Sequence, residues 1–299
     1  MPILTLPMTM QDGSEVVDYD RRGIPLYIRD GKIHEQKVLP HWHDDIELIL
    51  MLEGEMLSHV NRREIFLKSG DALFTNSRQM HFNESIQNRE GKYICILAHP
   101  KLLAPTAAMQ KKFIQPILEN PALDFIHWKS GELETESAAK ILKEIFQSKQ
   151  ENQAAYEISC CGLLQQLWQK IYQRGIDYSS DSVEISDLQI LRDMLGFIYQ
   201  NYSQKIFLDD ISRAGQICRS KCCQIFKQFM KQSPIDFVNS YRLAVSCQLL
   251  KNSKLSITQM SSDVGFIQPS YFGKLFQRAY GCSPHDYRRR SIENERSFG

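Results

Sequence analysis

The sequence predicts an α+β protein: an N-terminal antiparallel β-barrel with flanking helices, then an all-α domain of two helix-turn-helix modules joined by a long helix. Three observations carry this. From Tyr19 to about Leu97 short apolar runs alternate with turn residues. Beyond Pro105 the apolar residues recur at helical spacing instead. Near the C-terminus one helical pattern occurs twice, fifty positions apart. A chain of 299 residues with 42% hydrophobic content is long enough to bury two separate cores.

Residues 25–29, 46–52, 55–60, 63–67, 72–75 and 93–97 read as strands, separated by turns at Glu53-Gly54, Ser69-Gly70-Asp71 and Glu90-Gly91. Strands this short and evenly spaced suggest a small antiparallel barrel or sandwich. Residues 105–185 read as helices. The first strong one, 134–150, carries Ala138, Ile141, Leu142, Ile145 and Phe146 on one face. The next, 155–174, carries Ile158, Cys161, Leu164, Leu167, Trp168 and Ile171, a stripe wide enough to suggest a homodimer contact besides closing the barrel core. A segment rich in Ser and Asp then reads as a linker, so the expected domains are 1–180, a linker 181–187, 188–290 and a tail 291–299.

The repeat aligns Gln224-Ile-Phe-Lys227 through Ser233-Pro-Ile-Asp-Phe237 with Lys274-Leu-Phe-Gln277 through Ser283-Pro-His-Asp-Tyr287. Apolar volume is matched as well as identity, as a duplicated structural unit requires. In the first copy Cys222, Ile225, Phe226 and Phe229 face a core; in the second, Phe272, Leu275, Phe276 and Ala279 do. The opposite faces show Ser220, Cys223, Gln224 and Lys227, then Gln268, Ser270, Gly273 and Lys274, without an acid. A shorter helix precedes each, at 208–214 and 257–264, and Ser256 with Gln259 reads as a capping box. A short helix, a tight turn and a second helix with a polar, basic face are the parts of a module that enters the major groove of DNA. Ser233 and Pro234 start a helix of about sixteen residues between the modules. That rod is roughly 24 Å long, suited to holding two recognition helices about one DNA turn apart.

Charge follows the same division. From Ser186 onward 16 Lys and Arg face 9 Asp and Glu, a balance of +7, and the remainder has 20 against 26, or −6. Phosphate attraction is the sequence-independent part of DNA binding, and Arg219, Lys221 and Lys254 stand where phosphates are expected. Gln224 matches the edge of adenine and Lys274 that of guanine. No apolar run approaches the roughly 20 residues of a membrane span, and the first residues lack a basic region. A cytoplasmic address and no membrane partner are expected. Eight cysteines without paired CxxC spacing suggest reduced thiols.

Over about 206–290 these residues resemble the AraC/XylS-type transcriptional regulators. The resemblance is carried by Val264-Gly265-Phe266, Ser270-Tyr271-Phe272, Phe276, Gly281 and Ser283-Pro284 followed by Tyr287-Arg288. It implies double-stranded DNA and a small-molecule effector as partners, a homodimer, and RNA polymerase as a further contact. The chain departs from the pattern at Lys231, where Gly is usual, at Cys218, where an N-cap Ser is usual, and at Ser212 and Ser261, where Ala is usual.

In the N-terminal half, His41-Trp42-His43-Asp-Asp-Ile-Glu47 with Gly54 resembles the first motif of the cupin superfamily, and Gly70-Asp71 with His81 the second. Asn76-Ser77-Arg78 departs from that second motif. The resemblance implies that His41, His43, Glu47 and His81 form a metal-binding set, and a His3Glu set suits Fe, Mn or Zn. Effector-pocket lining and structural hydrogen bonding are the other readings of the same residues, with Trp42, Tyr27 and Phe74 as a stacking wall. Two functions therefore compete: a ligand-responsive, sequence-specific regulator without catalytic residues, and a metal-dependent cupin enzyme tethered to a DNA-binding domain. The first needs no cofactor, and a divalent metal in the barrel is the variant common to both.

Overall fold

The computed structural model describes residues 3–5, 14–15, 19, 24–33, 36–87, 89–152, 154–176, 178, 185–253 and 255–297, and side chains for all of these except 3–5, 36–38, 185–186 and 291–297. They form two compact units. One is made of Ser14–His34 and His41–Ile185; the other begins at Ser186 and also takes in β1 (Ile3–Thr5) and β3 (Gln36–Val38), which pair in parallel. Lys254 and residues 181–184 of the expected linker lie outside the described residues.

The first unit contains β2 (Leu26–Ile33), β4 (Ile46–Glu53), β5 (Glu55–Val60), β6 (Arg63–Lys68), β7 (Ala72–Thr75), β8 (His81–Glu84), β9 (Gly91–Ala98) and β10 (Phe125–Trp128). Five strands in the order β10-β7-β4-β9-β2 make one antiparallel sheet, and β8-β5-β6 make another, an open two-sheet form of the expected barrel. Side chains alternate along a strand, so β4 serves two cores. Ile49 and Met51 face Met56, Val60, Ile65 and Leu67 of the smaller sheet, whereas Leu48 and Leu50 face the helices. A strand buried on both sides reads as a nearly continuous apolar run, as 46–52 does.

After β9 come short helical turns, among them α1 (Ala107–Met109) and α2 (Gln115–Leu118), then α3 (Leu133–Gln150) and α4 (Tyr156–Gly175). Two expectations are corrected here. The stretch 105–185 is not wholly helical: Phe125–Trp128 pairs with β7, because a four-residue alternating run can complete a sheet edge but cannot sustain a helix. On α4 the inward face is Cys160, Leu164, Leu167, Trp168 and Ile171, while Ile158 is 75% exposed. Most of the stripe is thus used within its own unit. Phe74 also faces the helices, packed edge-to-face on Trp168, and is not a wall of the space between the sheets.

The second unit holds α5 (Ile185–Asn201), α6 (Leu208–Ala214), α7 (Arg219–Met230), α8 (Pro234–Asn252), α9 (Ile257–Asp263), α10 (Pro269–Tyr280) and α11 (Pro284–Ser297). The predicted inward residues Cys222, Ile225, Phe226, Phe229, Phe272 and Phe276 are buried, and Leu275 and Ala279 partly so. Ser233 caps α8 through its hydroxyl, which accepts from the Asp236 amide at 3.2 Å. Ser256 accepts from the Gln259 amide at 3.1 Å, but the Gln259 side chain turns to Asp263, so only half of the capping box forms. The buried Ser212 and Ser261 are satisfied by donating to carbonyls three residues back, Asp209 and Thr258.

The two modules differ in one residue. α6 and α9 are offset by 49 positions but α7 and α10 by 50, so the second turn is one residue longer. They also end differently: Gly281 closes α10 at φ 72°, where Lys231 closes α7 at φ 56°. A left-handed cap is costly for any residue with a Cβ. Lys231→Gly is therefore expected to stabilise the second unit by up to about 1 kcal/mol, read as a higher urea midpoint; a lower midpoint would show that the lysine side chain outweighs the strain.

Candidate functional site

His41 and His81 are locked together by reciprocal backbone hydrogen bonds of 3.1 and 2.9 Å just before β4 and at the start of β8. His43 lies two residues on, and Glu47 enters from β4 on the side of Ile49 and Met51. All four side chains are buried, and their ligand-type atoms lie within 4.8 Å of one another. The rings stand 4.4 Å (His41–His81), 4.8 Å (His43–His81) and 5.9 Å (His41–His43) apart. Glu47 Oε2 is 3.5 Å from His81 Nε2 and 3.9 Å from His43 Nε2.

Two of the rings have a fixed tautomer. His43 Nδ1 lies 3.0 Å from the Asp45 carbonyl and His81 Nδ1 2.8 Å from the Gln79 carbonyl. A carbonyl only accepts, so each Nδ1 donates and each Nε2 turns inward. Both Nε2 atoms are buried and, among the described residues, have only Glu47 Oε2 close by, beyond ordinary hydrogen-bond length. Burial alone would push the Glu47 carboxyl up, yet His81 and His43 hold it well below the usual carboxylate range. Burial opposes charge on His43 as well, but Glu47 beside it raises that imidazole overall. The set fits a divalent late first-row metal: three imidazoles and a carboxylate, with the Nε2 atoms of His43 and His81 turned toward Glu47.

Sequence reasoning missed Glu15, whose Oε2 comes to 3.4 Å from His41 Nε2 while its amide donates to the Trp42 carbonyl at 2.7 Å. Burial raises its carboxyl. Nothing in the local sequence around Glu15 marks it; only the fold brings it across. Trp42 is buried and alternates to the other side of the segment that carries His41 and His43.

In the second unit the expected groove-facing side chains are turned to solvent. Ser220, Gln224 and Lys227 of α7 are exposed and Cys223 partly so; Gln268, Ser270 and Lys274 at α10 are exposed and Gly273 partly so. Of the three expected phosphate contacts, Lys254 lies outside the described residues and the other two are less free than expected. Arg219 pairs with Asp209 of α6, and Lys221 Nζ lies 3.0 Å from the buried Asp187 of α5. Both acids come from helices other than α7, Asp209 ten residues and Asp187 thirty-four residues from the side chain it meets. Ile267, 74% exposed in the longer second turn, and Tyr271 add apolar surface at the head of α10.

A sheet domain with a buried polar cluster, followed by two modules that show basic faces to solvent, has the build of a ligand-responsive transcription regulator. Residues 24–168 match the family described as AraC-like ligand binding domain, and residues 211–290 the family described as Helix-turn-helix domain. The HTH-type transcriptional regulator YdeC of Bacillus subtilis, itself uncharacterized, is 30% identical over 83% of this chain and 85% of its own length. The transcriptional activator RhaR of Mannheimia succiniciproducens is 24% identical over 87% of this chain and 91% of its own. Among solved structures, ToxT of Vibrio cholerae with a bound unsaturated fatty acid aligns over 88% of this chain and 94% of its own, with 14% identity and a TM-score of 0.45. The chain belongs to the AraC-type family of HTH-type transcriptional regulators, and it is a ligand-responsive, sequence-specific DNA-binding protein.

Proposed function

We propose that this regulator senses through the His41, His43, Glu47 and His81 cluster and that a divalent metal ion is held there. The observation that supports it is the pair of inward, unbonded Nε2 atoms facing an ionised carboxylate. Ile33, Ile49, Met51, Met56, Leu73 and Leu97 are buried in the core between the sheets, which favours a small ligand beside Glu47. A bound metal would supply a Lewis-acidic centre for an oxygen or nitrogen atom of an effector. The protein's part is to fix the imidazoles through the Asp45 and Gln79 carbonyls. Titrating a labelled duplex with chelated protein, and again with Zn, Fe(II) or Mn restored, tests the coupling. A change in affinity of about fivefold or more is expected; identical isotherms would refute it.

The same reading makes the chain a regulator and not an enzyme, acting in the cytoplasm as a homodimer and contacting RNA polymerase from its DNA site. Family membership supports the first of these. The exposed Ile158, Gly162, Gln165 and Gln169 face of α4, which carries no charge, supports self-association. At the DNA, Lys274→Ala is expected to relax preference at one base pair by roughly 1–3 kcal/mol. Equal weakening across a randomised duplex library would sink that assignment.

A further inference from the structure

A cavity walled in part by Ile206, Phe266 and Ile267 lies wholly within the DNA-binding unit. It has a volume of about 310 Å³ and is lined by Lys205 from the loop ahead of α6, Asn239 and Arg242 from α8, and Gly265, Gln268 and Tyr271 from the second module. Two cations line it and no acid does. Arg242 is only 9% exposed. Its Nε donates to the Tyr202 carbonyl at 2.7 Å and its Nη2 to the Gln204 carbonyl at 2.6 Å, so its partners are neutral. A buried cation compensated only by dipoles leaves a positive field in the space beside it.

Three further features point the same way. Asn239, Gln268 and Tyr271 make no side-chain hydrogen bond among the described residues, so an amide, a second amide and a hydroxyl remain for a ligand. The twelve-residue helix α10 begins here: Pro269 brings no amide and the Tyr271 amide donates to the Gln268 carbonyl, but N-cap Gln268 makes no side-chain cap bond, so the helix end keeps its positive character. Gly265, at φ 93°, lays the turn against Arg242: a Cβ there would come within 2.4 Å of the Tyr202 carbonyl oxygen and 3.0 Å of Arg242 Nε. The cavity is thus assembled from the loop ahead of α6, the helix α8 and the second module.

We infer that this cavity takes a phosphate group, and that in the working regulator it is a backbone phosphate of the DNA between the two recognition helices. This rests on the DNA-binding reading. Lys, Arg, Asn, Gln, Tyr and a helix N-terminus are the groups that grip phosphate without reading sequence. The cavity adjoins Gln268, at the head of the exposed α10. Between two successive major-groove segments the duplex turns its phosphate-lined minor groove toward a protein that reads both.

The test uses the full chain and a labelled mixed-sequence duplex spanning two helical turns, titrated over a salt series. Lys205 is exposed, so Lys205→Ala should fold normally. It is expected to make the slope of log affinity against log salt shallower by about 0.9, one phosphate contact. Asn239→Asp, which puts an acid at the cavity, is expected to weaken binding several-fold at low salt. An unchanged slope in Lys205→Ala with wild-type binding intact overturns the inference and leaves the DNA-binding reading standing; failure of the wild-type protein to bind the duplex overturns both. In a second arm, inorganic phosphate is added without DNA. If phosphate raises the melting point in a Lys205-dependent way while the DNA slope does not move, the cavity serves a free anion and the backbone assignment falls.

Discussion

Replacing Phe276 by alanine is expected to cost about 3–5 kcal/mol and to melt the second helix-turn-helix module before the rest of the chain. The ring is fully buried and sits among three others: Phe272 at 5.5 Å, Tyr280 at 4.5 Å and Tyr287 at 5.6 Å between centroids. These rings come from α10, its C-terminal end and α11. Removing the central one leaves a cavity that α10 and α11 cannot fill without shifting. Urea unfolding followed by tyrosine fluorescence should show an early transition absent from the wild type, with sequence-specific DNA binding lost in step. A loss below about 1 kcal/mol would mean that the cluster relaxes around the gap and that the second module does not depend on it.

Glu47→Gln is expected to weaken divalent metal binding at least about 100-fold, since even outer-shell partners of metal ligands are worth 10–100-fold. The amide keeps the shape but removes the only carboxylate of the four-residue set and offers the inward Nε2 atoms of His43 and His81 no negative charge. Calorimetric titration of Zn or Ni into chelated protein measures it. Equal metal affinity in the two proteins would return the cluster to a purely structural role. A fall in melting temperature without any metal effect would do the same, because the carboxylate would then serve only to compensate buried imidazoles.

Much of this was legible before any coordinates. Helical periodicity placed both recognition helices and the faces they show, since buried Phe226 and Phe276 and exposed Gln224 and Lys274 follow from spacing alone. The four residues of the buried His and Glu cluster were legible from their resemblance to a known motif, and alternation along the 41–47 segment agreed with it. The sequence was silent wherever function depends on elements meeting. Phe125–Trp128 is too short to announce itself as a strand and needs β7 to become one. Glu15 reaches His41 only because the chain doubles back to pair with Trp42. Arg219 and Lys221 looked free for phosphate until Asp209 and Asp187 arrived from other helices. Nothing in the pattern around Arg242 singles it out, and only the approach of Tyr202 and Gly265 reveals a buried cation.

The unequal modules have a consequence for how a bound copy is oriented. α7 presents Cys223, Gln224 and Lys227, α10 presents Gly273, Lys274 and Gln277, and the turn before α10 is one residue longer. Rotating the chain end for end on a duplex would set each head against the wrong bases. A single copy gripping a duplex through both heads would therefore have a heading along it. Inverting that duplex segment in front of a gene would reverse which flank of the protein looks downstream.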